Sequence, residues 1–305
     1  MHVHNDLKQS KTAKAQRTFL IMCLPALIWM LFFNAIPMLG IRIAFIDFSP
    51  KKGIFDSKYV GLKNFKYLFS MKDTWRIVGN TFVIAIGKLV LNLILPLAFA
   101  LLLNEVKNKR YKSIVQTVTY LPHFVSWVVL ANILTKMFGY SGLINTLGKA
   151  FGKEPEVFLA NADFFRKFLI FTDSWKELGF NAIIYLAALT KINPNLYEAA
   201  AIDGANKWRS MTNITLPSLK STVVLLGTLS MGNVLNAGFD QVFNMYNPLV
   251  YSTSDIIDTW VYRIGLISMN YSVATCAGLF KSLVSFVLIS LAYILAYKFA
   301  DYTIF

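Results

Sequence analysis

The sequence predicts an all-α integral membrane protein with six transmembrane helices. Of its 305 residues, 56% are hydrophobic and 15% charged, with a mean hydropathy of +0.52. Soluble domains average about 45–50% apolar and ~25% charged residues, so the chain lies on the membrane side of that balance. The apolar residues are also gathered into six runs, each long enough to cross a bilayer. The basic residues cluster at the ends of those runs. A net charge of +14 therefore marks membrane loops and not a nucleic-acid binder, and the expected surroundings are a lipid bilayer.

Residues 1–18 form a polar tail carrying Lys8, Lys11, Lys14 and Arg17. The run at 19–48 is too long for the apolar part of a signal peptide and is followed by no small-residue cleavage pattern, so it reads as an uncleaved first span. Pro25 and Pro37 inside it imply kinks, and Arg42 lies near its outer end, where it can snorkel. The second span, 81–103, reaches roughly 34 Å at about 1.5 Å per residue, enough to cross with some tilt. Further spans are expected at 114–138, 168–189, 217–243 and 272–298. Six crossings put both termini on one side of the membrane.

Lys and Arg total twelve in the segments on the side of the termini and twelve on the other, so the raw count does not orient the chain. Local density does. Four lysines and arginines precede span one, and Lys107, Lys109, Arg110 and Lys112 crowd the short link between spans two and three. The positive-inside rule weighs such short segments most, which favours cytoplasmic termini. Cys23 and Cys276 both fall within spans and read as buried small hydrophobes, not as a disulfide.

The segment 193–217 is the most distinctive polar stretch. Asn193 is a good N-cap and Pro194 suits the first helical position; Leu196 to Ile202 is alanine-rich. Gly204 is placed to end that helix. A second short piece from Ala205 to Met211 precedes Pro217, which is expected to open the next long helix. The result is a helix-turn-helix elbow on the cytoplasmic side.

The sequence offers little for self-contained chemistry. Its histidines are His2, His4 and His123, and it has no H-E-x-x-H, G-x-S-x-G or Cys/His ligand cluster. It lacks G-x-x-x-x-G-K-[ST], so it has no nucleotide site of the P-loop kind, and neither a metal nor a cofactor is expected on this chain. An ion-coupled carrier would need acidic residues deep in its spans; Glu177 and Asp240 are the candidates, both toward the outer halves of their helices. Such a six-span secondary carrier is the alternative reading. Among the intramembrane lysines, Lys136 and Lys176 are expected to snorkel, whereas Lys88 and Lys281 lie deeper and should face water or another subunit. His123, beside Pro122, reads as a helix-contact residue.

Glu198-Ala199-Ala200, then Asp203-Gly204-Ala205, then Ile214, Leu216 and Pro217 resemble the "EAA loop" of permease subunits in binding-protein-dependent ABC importers. The spacing, E-A-A-x-x-D-G-A and nine residues on to I-x-L-P, is long and ordered. One departure is Met211, where the family usually has an aromatic residue. Further segments are similar to sugar permeases: YVGLKNF from Tyr59, YLPHFVSW from Tyr120, and WKELGFNAIIYLAAL from Trp175. The stretches 239–266 and 271–286 look more like permeases for oligosaccharides or polysaccharide fragments in Gram-positive bacteria.

The resemblance implies a type I importer permease (MetI-like) fold over 19–305 with a cytoplasmic coupling helix. It implies a second homologous permease subunit, two cytoplasmic ABC ATPase subunits that bind ATP and Mg, and an extracellular sugar-binding lipoprotein. The chain would then be a transport subunit of the plasma membrane and not itself an enzyme. Its ATPase-coupling residues would be Glu198, Ala199, Ala200, Asp203, Gly204, Ala205, Met211, Ile214, Leu216 and Pro217. For the sugar path, Asn233, Asn236, Asp240 and Asn244 fall at i, i+3, i+7 and i+11, one face of an expected span five. Asn181 and Tyr185, four apart on span four, are further candidates.

Overall fold

A computed structural model describes residues 17–232 and 234–300, with side chains up to residue 294. Residues 1–16 of the expected polar tail, and Asn233, lie outside the described residues. Four helices are long and apolar enough to cross a membrane: α1 (Arg17–Phe45), α3 (Thr74–Asn104), α9 (Lys207–Met231) and α12 (Tyr271–Ala300, its apolar stretch ending at Ile294). A bent pair, α4 (Lys109–Phe124) and α5 (Trp127–Met137), makes a fifth crossing if counted as one span. The remaining expected span, the fourth, is α7 (Ala162–Leu189). It carries Arg166, Lys167, Asp173, Lys176 and Glu177, too many charges for the composition of a lipid-facing helix. Its 28 residues still measure about 42 Å at ~1.5 Å per residue.

The charges are tolerated because α7 is the centre of the bundle. Its buried residues, among them Phe165, Phe168, Leu169, Thr172, Lys176, Gly179, Ala182, Tyr185 and Leu189, recur every three or four positions and form a helical stripe. The facing stripe on α3 runs through Ile77, Thr81, Ile84, Lys88, Pro96, Ala100 and Leu103. Small residues let these helices approach. A Cβ at Gly87 of α3 would come within 2.7 Å of Ile170, and one at Gly179 of α7 would fall onto the carbonyl oxygen of Thr119 in α4. Gly179→Ala is accordingly expected to push α4 off α7 and destabilise the protein by about 1–3 kcal/mol, measured as a lowered melting temperature in detergent; an unchanged melt would contradict this packing.

Three expected spans change form. The third, anticipated as one helix over 114–138, bends by 104° between α4 and α5. Pro122 lies in the last, tightened turn of α4; Val125 is extended, and the Ser126 hydroxyl accepts from the Val129 N–H to start α5. A proline and a new N-cap four residues apart interrupt the backbone ladder, and α7 supplies the replacement partners. Lys176 Nζ donates to the His123 carbonyl at 2.8 Å, and His123 Nδ1 lies 2.7 Å from Glu177, its ring stacked 3.9 Å from Phe180. His123 is thus the helix-contact residue anticipated. Lys176 does not snorkel, since its ammonium is tied into this interior cluster.

The fifth span, expected over 217–243, starts ten residues earlier and stops sooner. α9 begins at Lys207, capped by the Asn206 side chain, which accepts from the Arg209 N–H at 2.9 Å. It passes through a π turn at Met211–Thr215, so Pro217 sits inside the helix and does not open it. The wider turn accommodates a residue that lacks a backbone N–H. The helix ends at Met231 and the chain turns through Gly238, whose φ of +88° favours glycine, into α10 (Phe239–Met245).

In α1 the helical type changes at a π turn, Leu31–Ala35, followed by a tightened stretch, Ile36–Phe45, that contains Pro37; Pro25 lies in regular helix. Between α1 and α3, two-residue strands β1 (Ile46–Asp47) and β2 (Lys58–Tyr59) pair antiparallel, the only sheet among the described residues, and α2 (Lys63–Ser70) follows. Asn64 Nδ2 donates to the Ala44 and Ile46 carbonyls and fastens this segment to the end of α1. A short α6 (Leu143–Ala150) precedes α7.

Candidate coupling elbow and polar cavities

The elbow forms where the sequence places it. Asn193 caps α8 (Pro194–Ile202), its side chain accepting from the Asn195 N–H at 3.0 Å. Gly204 has φ +75°, and the Ala205 and Gly204 N–H groups return to the Ala200 and Ala201 carbonyls, a C-terminal cap that needs a left-handed residue at this position. Glu198, Ala199 and Asp203 are exposed, and no residue of α8 is buried. Ala200, Ala205 and Ile214 are half-buried; Leu216 and Pro217 lie on the exposed side of α9.

The elbow also presents large apolar side chains that the sequence reading did not single out. Ile202 is 87% exposed and Trp208 67%, beside a half-exposed Leu196. Their spacing gives no warning, since the alanines around them dominate the pattern. Met211, the departure from the family motif, turns inward. It lines a cleft of about 270 Å³ with Leu101, Tyr197, Ala201, Ala205 and Thr215, between the elbow and the end of α3. At the rim, Lys207 pairs with Glu105 at 2.7 Å, but both are largely exposed, so the pair contributes at most about 1 kcal/mol.

The expected polar stripe on span five is not a stripe. The helix ends before it, so Asn236 lies in the non-helical link, while Asp240 and Asn244 ride on α10, exposed, with the Asn244 amide donating to the Asp240 carbonyl. Helical spacing across a glycine-flanked break carries no facing information. Asn236 does join Asn181 and Tyr185 around a cavity of about 260 Å³ enclosed by α3, α7 and α9. Tyr185 contributes its ring wall; its side chain is fully buried and its hydroxyl donates to the Leu93 carbonyl at 3.3 Å.

The same cavity shows why span five breaks where it does. Lys88, on α3, is buried at the wall of this cavity, its ammonium held by protein partners. Its ammonium donates to Asp173 at 3.0 Å, to the Ala237 carbonyl at 2.8 Å and to the Gln241 side-chain oxygen, using all three donors. It thereby satisfies a carbonyl released by the broken helix. Gln241 passes the network on to Leu169 and Thr172, and Asn92 donates to the other Asp173 oxygen at 3.2 Å. Asp173 is the deep intramembrane acid that the sequence reading passed over in favour of Glu177 and Asp240; a carboxylate within FTDSW, inside an apolar run, was the available signal.

Lys281, on α12, donates to both oxygens of Asp258 at 2.7 and 2.8 Å and to Asn236 at 2.9 Å. Asp258 lies on α11 (Ile257–Tyr262). These residues border a larger groove of about 1040 Å³, walled by α1, α11 and α12 and carrying Phe239, Tyr262 and Tyr271. Asn236 lines both spaces.

Comparison with known proteins agrees with the motif. A family model described as "Binding-protein-dependent transport system inner membrane component" matches residues 92–301. Protein LplB of Bacillus subtilis (strain 168) is 42% identical over 287 residues, 94% of this chain and 90% of that protein. The polygalacturonan/rhamnogalacturonan transport system permease protein YteP of the same organism is also 42% identical, over 94% of this chain and 89% of its own length. Among solved structures, a bacterial ABC transporter involved in the import of the acidic polysaccharide alginate superimposes with a TM-score of 0.88 at 35% identity, covering 96% of this chain and 99% of that one. A second structure, of that type of transporter in complex with an alginate pentasaccharide-bound periplasmic protein, gives 0.87 at 36% identity over 94% and 96%. By motif, fold and similarity along most of its length, this chain belongs to the family of inner-membrane components of binding-protein-dependent transport systems.

Proposed function

We propose that the chain is the membrane-spanning permease subunit of an ATP-driven ABC importer for a carbohydrate, an oligosaccharide delivered by an extracellular solute-binding protein. The observation that carries this reading is the elbow: a capped, wholly unburied α8, a glycine turn and exposed Leu196, Ile202 and Trp208. An apolar surface on a polar protruding element is a docking face, and a helix laid in a partner's groove is the mode it fits. The partner is one of two cytoplasmic ATPases, which would hold the ATP and Mg. A second homologous permease subunit completes the pore, and both termini lie in the cytoplasm. The similarity to a polygalacturonan/rhamnogalacturonan permease and to an alginate importer supports a carbohydrate cargo.

An ion-coupled carrier draws no support from the interior. Asp173 and Asp258 are each paired with a lysine, an arrangement suited to holding helices rather than to releasing a proton. The test is uptake by the reconstituted complex. It should require ATP and survive a protonophore; the reverse result would establish the carrier.

The sugar path includes Asn236 and Asn181, whose amides both donate and accept, as hydroxyl recognition requires. Asn236→Ala is expected to weaken apparent sugar affinity about fivefold, the effect of one hydrogen bond of ~1 kcal/mol. Unchanged uptake and affinity would mean that Asn236 only braces Lys281.

A further inference from the structure

We infer that Tyr197 is the positioning residue that locks the elbow to the root of span five, making the two move as one body. The inference rests on the importer reading above. α8 has no buried residue, so packing does not set its direction. Beyond the turns that flank it, one side-chain hydrogen bond among the described residues ties it to the membrane helices: the Tyr197 hydroxyl to Thr215 Oγ1 at 2.9 Å, spanning the 18 residues of the elbow. Thr215 is buried and closes the π turn of α9, its hydroxyl also reaching the Ser210 carbonyl at 3.4 Å.

The location matters mechanically. The left-handed turn at Gly204 breaks the helix on one side, and the π turn with Pro217 is the weak point of α9 on the other. Between them the Tyr197–Thr215 bond closes a triangle of α8, the turn and the first two turns of α9. The cleft of about 270 Å³ between that triangle and the end of α3 leaves room for α8 to fold inward if the bond is lost. A force on the exposed face of α8 is then absorbed by the cleft and does not reach the pore. The Lys207–Glu105 pair cannot substitute, because it joins α9 to the end of α3 and bypasses α8.

The test uses the assembled complex in proteoliposomes, scored as sugar imported per ATP hydrolysed. Tyr197→Phe and Thr215→Val should each lower that ratio at least fivefold while ATP hydrolysis stays within twofold of wild type. Tyr197→Phe/Thr215→Val should be no worse than either single variant, and Thr215→Ser should restore the ratio. A wild-type ratio in Tyr197→Phe, or losses that multiply in the double variant, would overturn the inference. If Tyr197→Phe impairs assembly, Thr215→Val and Thr215→Ser decide: equal ratios in those two variants would also overturn it. Absence of ATP-driven uptake in the wild-type complex would instead remove the importer reading itself.

Discussion

Gly204→Pro is expected to abolish ATP-driven uptake and to leave ATP hydrolysis running without transport, in a protein that still inserts and assembles in the membrane. Gly204 holds φ +75°, which proline, locked near −65°, does not reach, so the turn must open and α8 must point elsewhere. The effect is one of backbone alone, since nothing lies within 4 Å of a Cβ built at this position. Gly204→Ala should therefore be milder, with a strain of about 1–2 kcal/mol. Glu198→Lys is expected to match the proline variant by a different route: it reverses a charge on the exposed docking face without touching the fold. Uptake and ATP hydrolysis measured together in proteoliposomes check both, and normal uptake in the two variants would remove the coupling role.

Lys88→Ala is expected to destabilise the protein by about 3–5 kcal/mol, the usual effect of leaving one member of a buried ion pair alone. The lysine is 6% exposed and the Asp173 side chain 15%, so solvent offers little compensation. Three acceptors lose their partner at once: the Asp173 carboxylate, the Gln241 amide oxygen and the Ala237 carbonyl at the break in span five. The exchange Lys88→Met with Asp173→Leu should recover much of the loss by removing both charges. Melting in detergent, followed by tryptophan fluorescence, distinguishes the two; a double variant as unstable as Lys88→Ala would mean that the Ala237 carbonyl, not the ion pair, dominates.

Part of the candidate site was legible without coordinates. The Asn193 cap, the Pro194 start and the Gly204 stop are local signals, each acting within four residues, and all three appear in α8 and its turn. The cavity was legible only in fragments. Asn236, Asn181 and Tyr185 do surround it, while Asp240 and Asn244 do not, because the helical spacing that joined them to Asn236 assumed an unbroken helix. The flanking Gly232 and Gly238 warned of that break. The partners that make it stable, Lys88 from α3 and Asp173 from α7, lie 149 and 64 residues away from Ala237 along the chain. No local pattern links them.

By itself, then, the sequence determined that the chain is a predominantly helical membrane protein with an exposed elbow between two of its spans. Apolar run length, capping chemistry and a motif of fixed spacing are all short-range properties of the chain. Only the tertiary structure decided that span three bends by 104°, that span five starts at Lys207 and stops at Met231, and that Lys88 and Lys176 are interior anchors rather than snorkelling or water-facing lysines. Each of these depends on whether backbone groups freed by a proline or glycine find partners on another helix. In a membrane that question cannot be passed to water, so neighbouring helices answer it.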